Sequence, residues 1–176
     1  ATGAAAVSPS GGTYPQDPLG LWREASPAAF PAGAKVWIEP QPFRAFRLDR
    51  SRMEALLAQA PRESAQSVTD STSLVTLPLP EGGFAHFRFV AVAVMAPELA
   101  AKFPEIRTFV GRGIEDPSAT ARFDLTPAGF HAQVLRRDGA AYIDPLFQGD
   151  CEWHAVYLRK ESPQTAGEFR CSTGAG

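Results

Sequence analysis

Asparagine is absent from this 176-residue chain, which excludes N-glycosylation at Asn-x-Ser/Thr. Cysteine is scarce: Cys151 and Cys171 are the only two, too few for a disulfide scaffold. The three histidines, His86, His131 and His154, each sit in a strand-like run without a second ligand at helical or loop spacing. HExxH, CxxC and His-x-His are all missing, so the chain is not expected to build a metal site or hold a cofactor of its own. Charge of one sign is missing as well. A net charge of −2 provides no electrostatic footprint for nucleic acid or anionic membrane, and neither is expected as a partner. The longest apolar run, Phe89–Ala96, is strand-sized and well short of the roughly 20 residues that span a bilayer. Gly111-Arg112-Gly113 lacks the third glycine and the following helix of a phosphate loop and reads as a turn or bulge. No Gly-x-Ser-x-Gly elbow occurs. Asp116, Asp124, Asp144 and Asp150 are scattered over turns and strand faces, so no enzymatic activity is expected of this chain.

What the chain does have is short strands with strong turn chemistry. In Ser118–Leu125, Ala119, Ala121, Phe123 and Leu125 alternate with Ser118, Thr120, Arg122 and Asp124, the period of two that a half-buried strand needs. Thr126-Pro127-Ala128-Gly129 suits a type I turn, and Phe130, Ala132 and Val134 resume the buried face. Asp138-Gly139 predicts a tight primed turn into Ala140–Ile143, which Asp144-Pro145 ends. Further strands are expected at Lys35–Glu39, Phe43–Leu48, Leu74–Leu79, Phe84–Met95 and Trp153–Leu158. A helix is expected where Ser51-Arg52-Met53-Glu54 fits a capping box and Met53, Leu56, Leu57 and Ala60 form one face. A short helix is expected at Pro97–Phe103. Together these predict a mainly β (α+β) domain over residues 34–160: a curled antiparallel sheet, sandwich or partly open barrel, with one amphipathic and one short helix. Residues 1–33 read as a flexible or docked lead-in and 161–176 as a linker.

Between Phe109 and Leu146 the sequence resembles the second half of the propeptide of adamalysin/reprolysin-type (metzincin) zinc metalloproteases. Four pieces carry the resemblance, in order: Phe109-Val110-Gly111, Asp116-Pro117-Ser118 with acid and proline exchanged, Gly129-Phe130, and Tyr142-Ile143-Asp144-Pro145-Leu146. The bacterial secreted branch is the nearest in look, with Leu-Pro-Leu-Pro and Met-Ala-Pro-Glu-Leu segments upstream. Animal members carry a cysteine pair where Arg107 and Pro127 stand here.

The resemblance implies a secreted or periplasmic domain whose partner is its cognate metalloprotease catalytic domain, acting as folding assistant and latency-maintaining inhibitor. Zinc would belong to that catalytic domain. Cys171 lies where the family places a cysteine that offers its thiolate to the zinc, although Ser-Thr follows it here where animal members usually have Gly-Val. A Cys151–Cys171 disulfide and two inert thiols are the other arrangements the residues leave open. Removal by proteolysis is expected after Arg159, Lys160 or Arg170, in exposed chain of small residues. The alternative reading is a free-standing exported β-domain that binds a protein or a small apolar ligand. In it Phe84, Phe87, Phe89, Phe123, Phe130 and Tyr142 would line the mouth of the sheet; the competing reading of these rings is plain core.

Overall fold

Short extended runs become strands when each finds a partner across the ladder, and among the described residues nine do so. The computed structural model describes residues 17–94, 98, 102 and 106–161. Its strands are β1 (Trp22–Ala25), β2 (Arg44–Leu48), β3 (Leu74–Pro78), β4 (Phe84–Val92), β5 (Arg107–Gly113), β6 (Thr120–Thr126), β7 (Gly129–Arg136), β8 (Gly139–Pro145) and β9 (Trp153–Leu158). They form one antiparallel sheet in the order β1-β2-β9-β8-β7-β6-β5-β4-β3, curled into a half-barrel. The mainly β, curled-sheet expectation therefore holds. From β3 to β9 the chain is a continuous meander, and β2 then pairs with β9 so that β1 forms the far edge.

The inner face carries the principal core. Phe46, Phe87, Phe89, Phe109, Phe123, Phe130 and Ile143 are essentially inaccessible there, with rings in contact: Phe109 stacks on Phe123 at 5.3 Å, and Phe89 meets Phe123 edge-on at 5.5 Å. Helix α1 (Arg50–Ala58) adds Met53 and Leu57 to the same cluster. Its start differs from expectation. The N-cap is Asp49, whose carboxylate accepts from the Arg52 amide at 3.0 Å, so Ser51 is already inside the first turn. Asp caps as well as Ser and contributes about 1 kcal/mol, and Glu54 turns instead to Arg50 one helical turn back at 2.7 Å.

A second cluster lies on the outer face of β2, β8 and β9: Phe43, Ala45, Leu146, Phe147, Trp153, Ala155 and Tyr157. The segment that follows β1 covers it with Phe30, Ala34 and Ile38. Burial on both faces is why β9 is buried from Trp153 to Tyr157 without alternation.

Several local expectations are corrected. Lys35–Glu39 forms no strand; Val36 makes a single bridge to Phe147. Trp22–Ala25, in the expected lead-in, is a strand paired with β2. Gly111-Arg112-Gly113 is neither turn nor bulge but the end of β5. The strand expected at Phe84–Met95 ends at Val92, and Val94 beyond it is 60% exposed. The short helix at Pro97–Phe103 lies outside the described residues except for Glu98 and Lys102, both helical and exposed.

The turn at Asp138-Gly139 also differs. Arg137 and Asp138 are the two loop residues, Arg136 pairs with Gly139, and only Gly139 has positive φ, +138°. The Pro127-Ala128 turn is built alike, with Thr126 paired to Gly129 at φ +134°. A glycine thus opens the second strand of each hairpin, a place from which Cβ is excluded by conformation.

Side chains seal the gap between the outermost strands. Trp22 Nε1 donates to the Thr76 carbonyl at 2.8 Å, Arg44 Nη1 donates to the Leu79 carbonyl at 2.7 Å, and Phe46 meets Phe84 edge-on at 6.0 Å. Arg44, only 4% exposed, is held by Glu24 in a two-pronged pair, Nε to Oε1 at 2.9 Å and Nη2 to Oε2 at 2.8 Å.

Candidate functional site

Most motif residues from the sequence serve the β5–β8 meander. Phe109 is core. A Cβ on Gly111 would lie 3.1 Å from Phe87 Cβ and 3.4 Å from Ala121 Cβ, so the bare backbone lets β4, β5 and β6 close over the rings. Pro117 and Ser118 sit exposed in the turn before β6, where the Asp116 carboxylate accepts from the Ser118 amide at 2.9 Å and hydroxyl at 2.6 Å. Gly129 and Pro145 touch: a Cβ on Gly129 would stand 2.5 Å from Pro145 Cγ. Two motif pieces 16 positions apart are thereby one contact.

Tyr142 and Asp144 belong to a polar array on the outer face that sequence reasoning did not assemble. His131 Nδ1 lies 2.9 Å from Asp144 Oδ1, and the Tyr157 hydroxyl donates to Asp144 Oδ2 at 2.7 Å. Gln133 Nε2 donates to the Tyr142 hydroxyl at 2.9 Å, and Tyr142 stacks on Tyr157 at 5.8 Å. Asp124 is the cross-strand partner of His131. The hydrogen bond to Asp144 raises the His131 pKa above its ordinary value, against the opposing effect of its partial burial. Desolvation raises Asp124, with the His131 charge pulling it back. A protonated imidazole between two carboxylates is what this geometry favours, and it ties β6, β7, β8 and β9 together. No hydroxyl or thiol nucleophile is hydrogen-bonded to His131 among the described residues, and the array is a cross-strand clamp.

His154 is different: fully buried, with Trp22 edge-on at 5.4 Å. Its Nδ1 lies 3.1 Å from the Glu152 carbonyl while Nε2 has no partner among the described residues. Loss of solvation lowers its pKa to about 4, so it is neutral at physiological pH.

The aromatics considered for a ligand mouth do not line one. Phe87, Phe89, Phe123 and Phe130 are buried against each other and their neighbours, and Tyr142 is on the opposite face. Phe84 alone borders an open cleft of about 710 Å³, whose walls are mostly charged: Asp17, Arg23, Glu24, Arg47, Asp49 and Glu152 among them. Leu21, Trp22 and Leu48 also line it beside Phe84.

Of the cysteines, Cys151 is partly exposed and its thiol donates to the Pro127 carbonyl at 3.1 Å. Cys171 and Arg170 lie outside the described residues. Arg159 and Lys160 are exposed in a 3-10 turn, Arg159–Glu161, directly after β9. Among the described residues no group of three or more His, Cys, Asp and Glu is placed to hold a metal ion, and no helix is long and apolar enough to cross a membrane. Compared with protein-family models, curated proteins and solved structures, the chain matches none.

Proposed function

We propose that this chain is the propeptide domain of a secreted reprolysin-type zinc metalloprotease, assisting its folding and holding it latent until proteolysis removes the domain. The observation that carries the reading is the placement of the four motif pieces. They fall in order on one contiguous meander, β5 to β8, at a close strand approach, a turn, and the Gly129–Pro145 contact. Two further placements support it. Arg107 and Pro127, where animal members carry a cysteine pair, lie at the same end of neighbouring strands: Arg107 faces Leu125, two residues before Pro127. The basic pair Arg159-Lys160 is exposed where the chain leaves the sheet, a position open to a processing protease.

In this reading the catalytic domain supplies zinc, and Cys171 supplies the thiolate that displaces the catalytic water. The meander itself is scaffold and carries no inhibitory group in this reading. The test has two steps. The coding sequence past Gly176 is read for HExxHxxGxxH, and the protease so encoded is titrated with this chain. Inhibition at micromolar concentration is expected, and it weakens when Cys171→Ala removes the zinc ligand. A downstream region lacking the zinc motif, or a protease indifferent to the chain, would overturn the proposal. Full inhibition by Cys171→Ala would leave steric cover as the mechanism and remove the thiolate from it.

A further inference from the structure

We propose that the outer face of β4, β5 and β6 docks onto an acidic surface of the catalytic domain through Arg88, Arg112 and Arg122. The partner's identity rests on the propeptide reading; its chemistry rests on the register. Arg88 and Arg112 are direct cross-strand partners. Arg112 in turn faces Thr120, which makes Arg122 its diagonal neighbour. Their chain neighbours Phe87, Phe89, Gly111, Ala121 and Phe123 are buried on the inner side, so the arginines stand on the outer one, where all three are exposed. Direct partners have Cβ atoms roughly 5 Å apart, and like charges set opposite one another destabilise a sheet.

Among the described residues no carboxylate is paired with the trio. Arg88 Nη1 donates to the Ser71 carbonyl at 2.9 Å. Arg112 and Arg122 make no hydrogen bond or ion pair with any described residue. The carboxylates of the loop after β5 are turned elsewhere, Glu115 to His86 and Asp116 to Ser118. The contrast with other arginines is plain: Arg44 is matched by Glu24, Arg47 by Glu152, Arg50 by Glu54 and Arg136 by Glu81. The chain has 19 acidic residues and none of the described ones is paired with this trio.

The rest of the face fits a protein partner. Leu135, 43% exposed, continues the row of Arg112 and Thr120 through its pairing with Thr120. Arginine beside an exposed aliphatic side chain on the open face of a sheet matches the composition of a protein interface, where Arg is enriched. Over β2, β8 and β9 the outer face already has its own apolar cover, whereas the arginines have none among the described residues.

The variant Arg112→Glu/Arg122→Glu tests this in two arms. In the first, the isolated chain is titrated with polyglutamate, with phosphatidylserine vesicles and with a short DNA duplex. Polyglutamate is expected to bind the parent chain at low salt and to bind the variant at least about 10-fold more weakly. No binding, equal binding, or tighter binding of vesicles or DNA overturns the assignment to an acidic protein surface. In the second, both chains are titrated against the protease. The variant is expected to inhibit roughly 100-fold less well and with a flatter salt dependence. Its melting temperature should be unchanged or higher by up to about 3 °C, because the carboxylate introduced by Arg112→Glu would face Arg88. If parent and variant inhibit equally, the docking face is wrong and the propeptide reading stands. If neither inhibits, the propeptide reading falls and this proposal loses its partner with it.

Discussion

Acidification from pH 6.5 to about 4 is expected to remove on the order of 3 kcal/mol of stability through His154 alone. The folded chain buries the imidazole beside Trp22 and Phe130, and burial disfavours the charged ring. In the unfolded chain the ring titrates near its ordinary value of 6.5, whereas in the fold its pKa is lowered to about 4. A depressed histidine pKa means that the unfolded state binds the proton first. The stability is therefore complete above about pH 6.5 and is lost as pH falls toward 4. His131 works in the opposite sense. Its folded pKa is raised, so its contribution is present below its ordinary pKa and is lost as pH rises through the folded one. Urea denaturation across this range for the parent chain and His154→Leu is the measurement. The parent should lose stability with acid by that amount more than the variant, other carboxylates being common to both. Parallel curves would show that His154 is not the group that titrates.

Gly129→Ala should cost about 3 kcal/mol or more, from two sources at one position. At φ +134° a side chain is strained by roughly 1–3 kcal/mol, and the new Cβ would press on Pro145 Cγ at 2.5 Å. Adding Pro145→Ala relieves the second source and not the first, so the double variant should recover part of the loss. That non-additivity is what a direct contact predicts for a double-mutant cycle. Urea midpoints of the four chains decide it: a Gly129→Ala chain as stable as the parent would remove both arguments.

Where the sequence reading succeeded and where it stopped follows from the reach of each signal. Alternation is local, so strands could be read at Ser118–Leu125 and Phe84–Met95 without knowing their partners, although β6 and β4 are bounded a few residues differently. Trp22–Ala25 is only four residues long, and its reason for being a strand is a ladder to β2 some 20 or more positions on, which no local window contains. The polar array was hidden by the turn. If Asp138 and Gly139 were both loop residues, the β7–β8 register would set His131 opposite Leu146. With Arg136 paired to Gly139, the same counting sets His131 opposite Asp144. One misassigned turn position thus concealed the one constellation of side chains that crosses four strands. The arginine trio was legible as residues but not as a group, because like charges become neighbours only through the register. Burial on both faces of β9, in turn, depends on a covering segment that has no periodicity of its own.

The side-chain seal between β1 and β3 has a further consequence. A curled sheet that stops short of a closed barrel leaves two edges, and an open edge invites another chain to add a strand. Here two acceptors from β3 and the turn after it, the carbonyls of Thr76 and Leu79, are already occupied by the Trp22 indole and the Arg44 guanidinium. Such a lock guards against stacking into fibrils while leaving the backbone ladder incomplete. In the proposed role the domain is discarded after use, and the lock keeps it from edge-to-edge association for as long as it is whole.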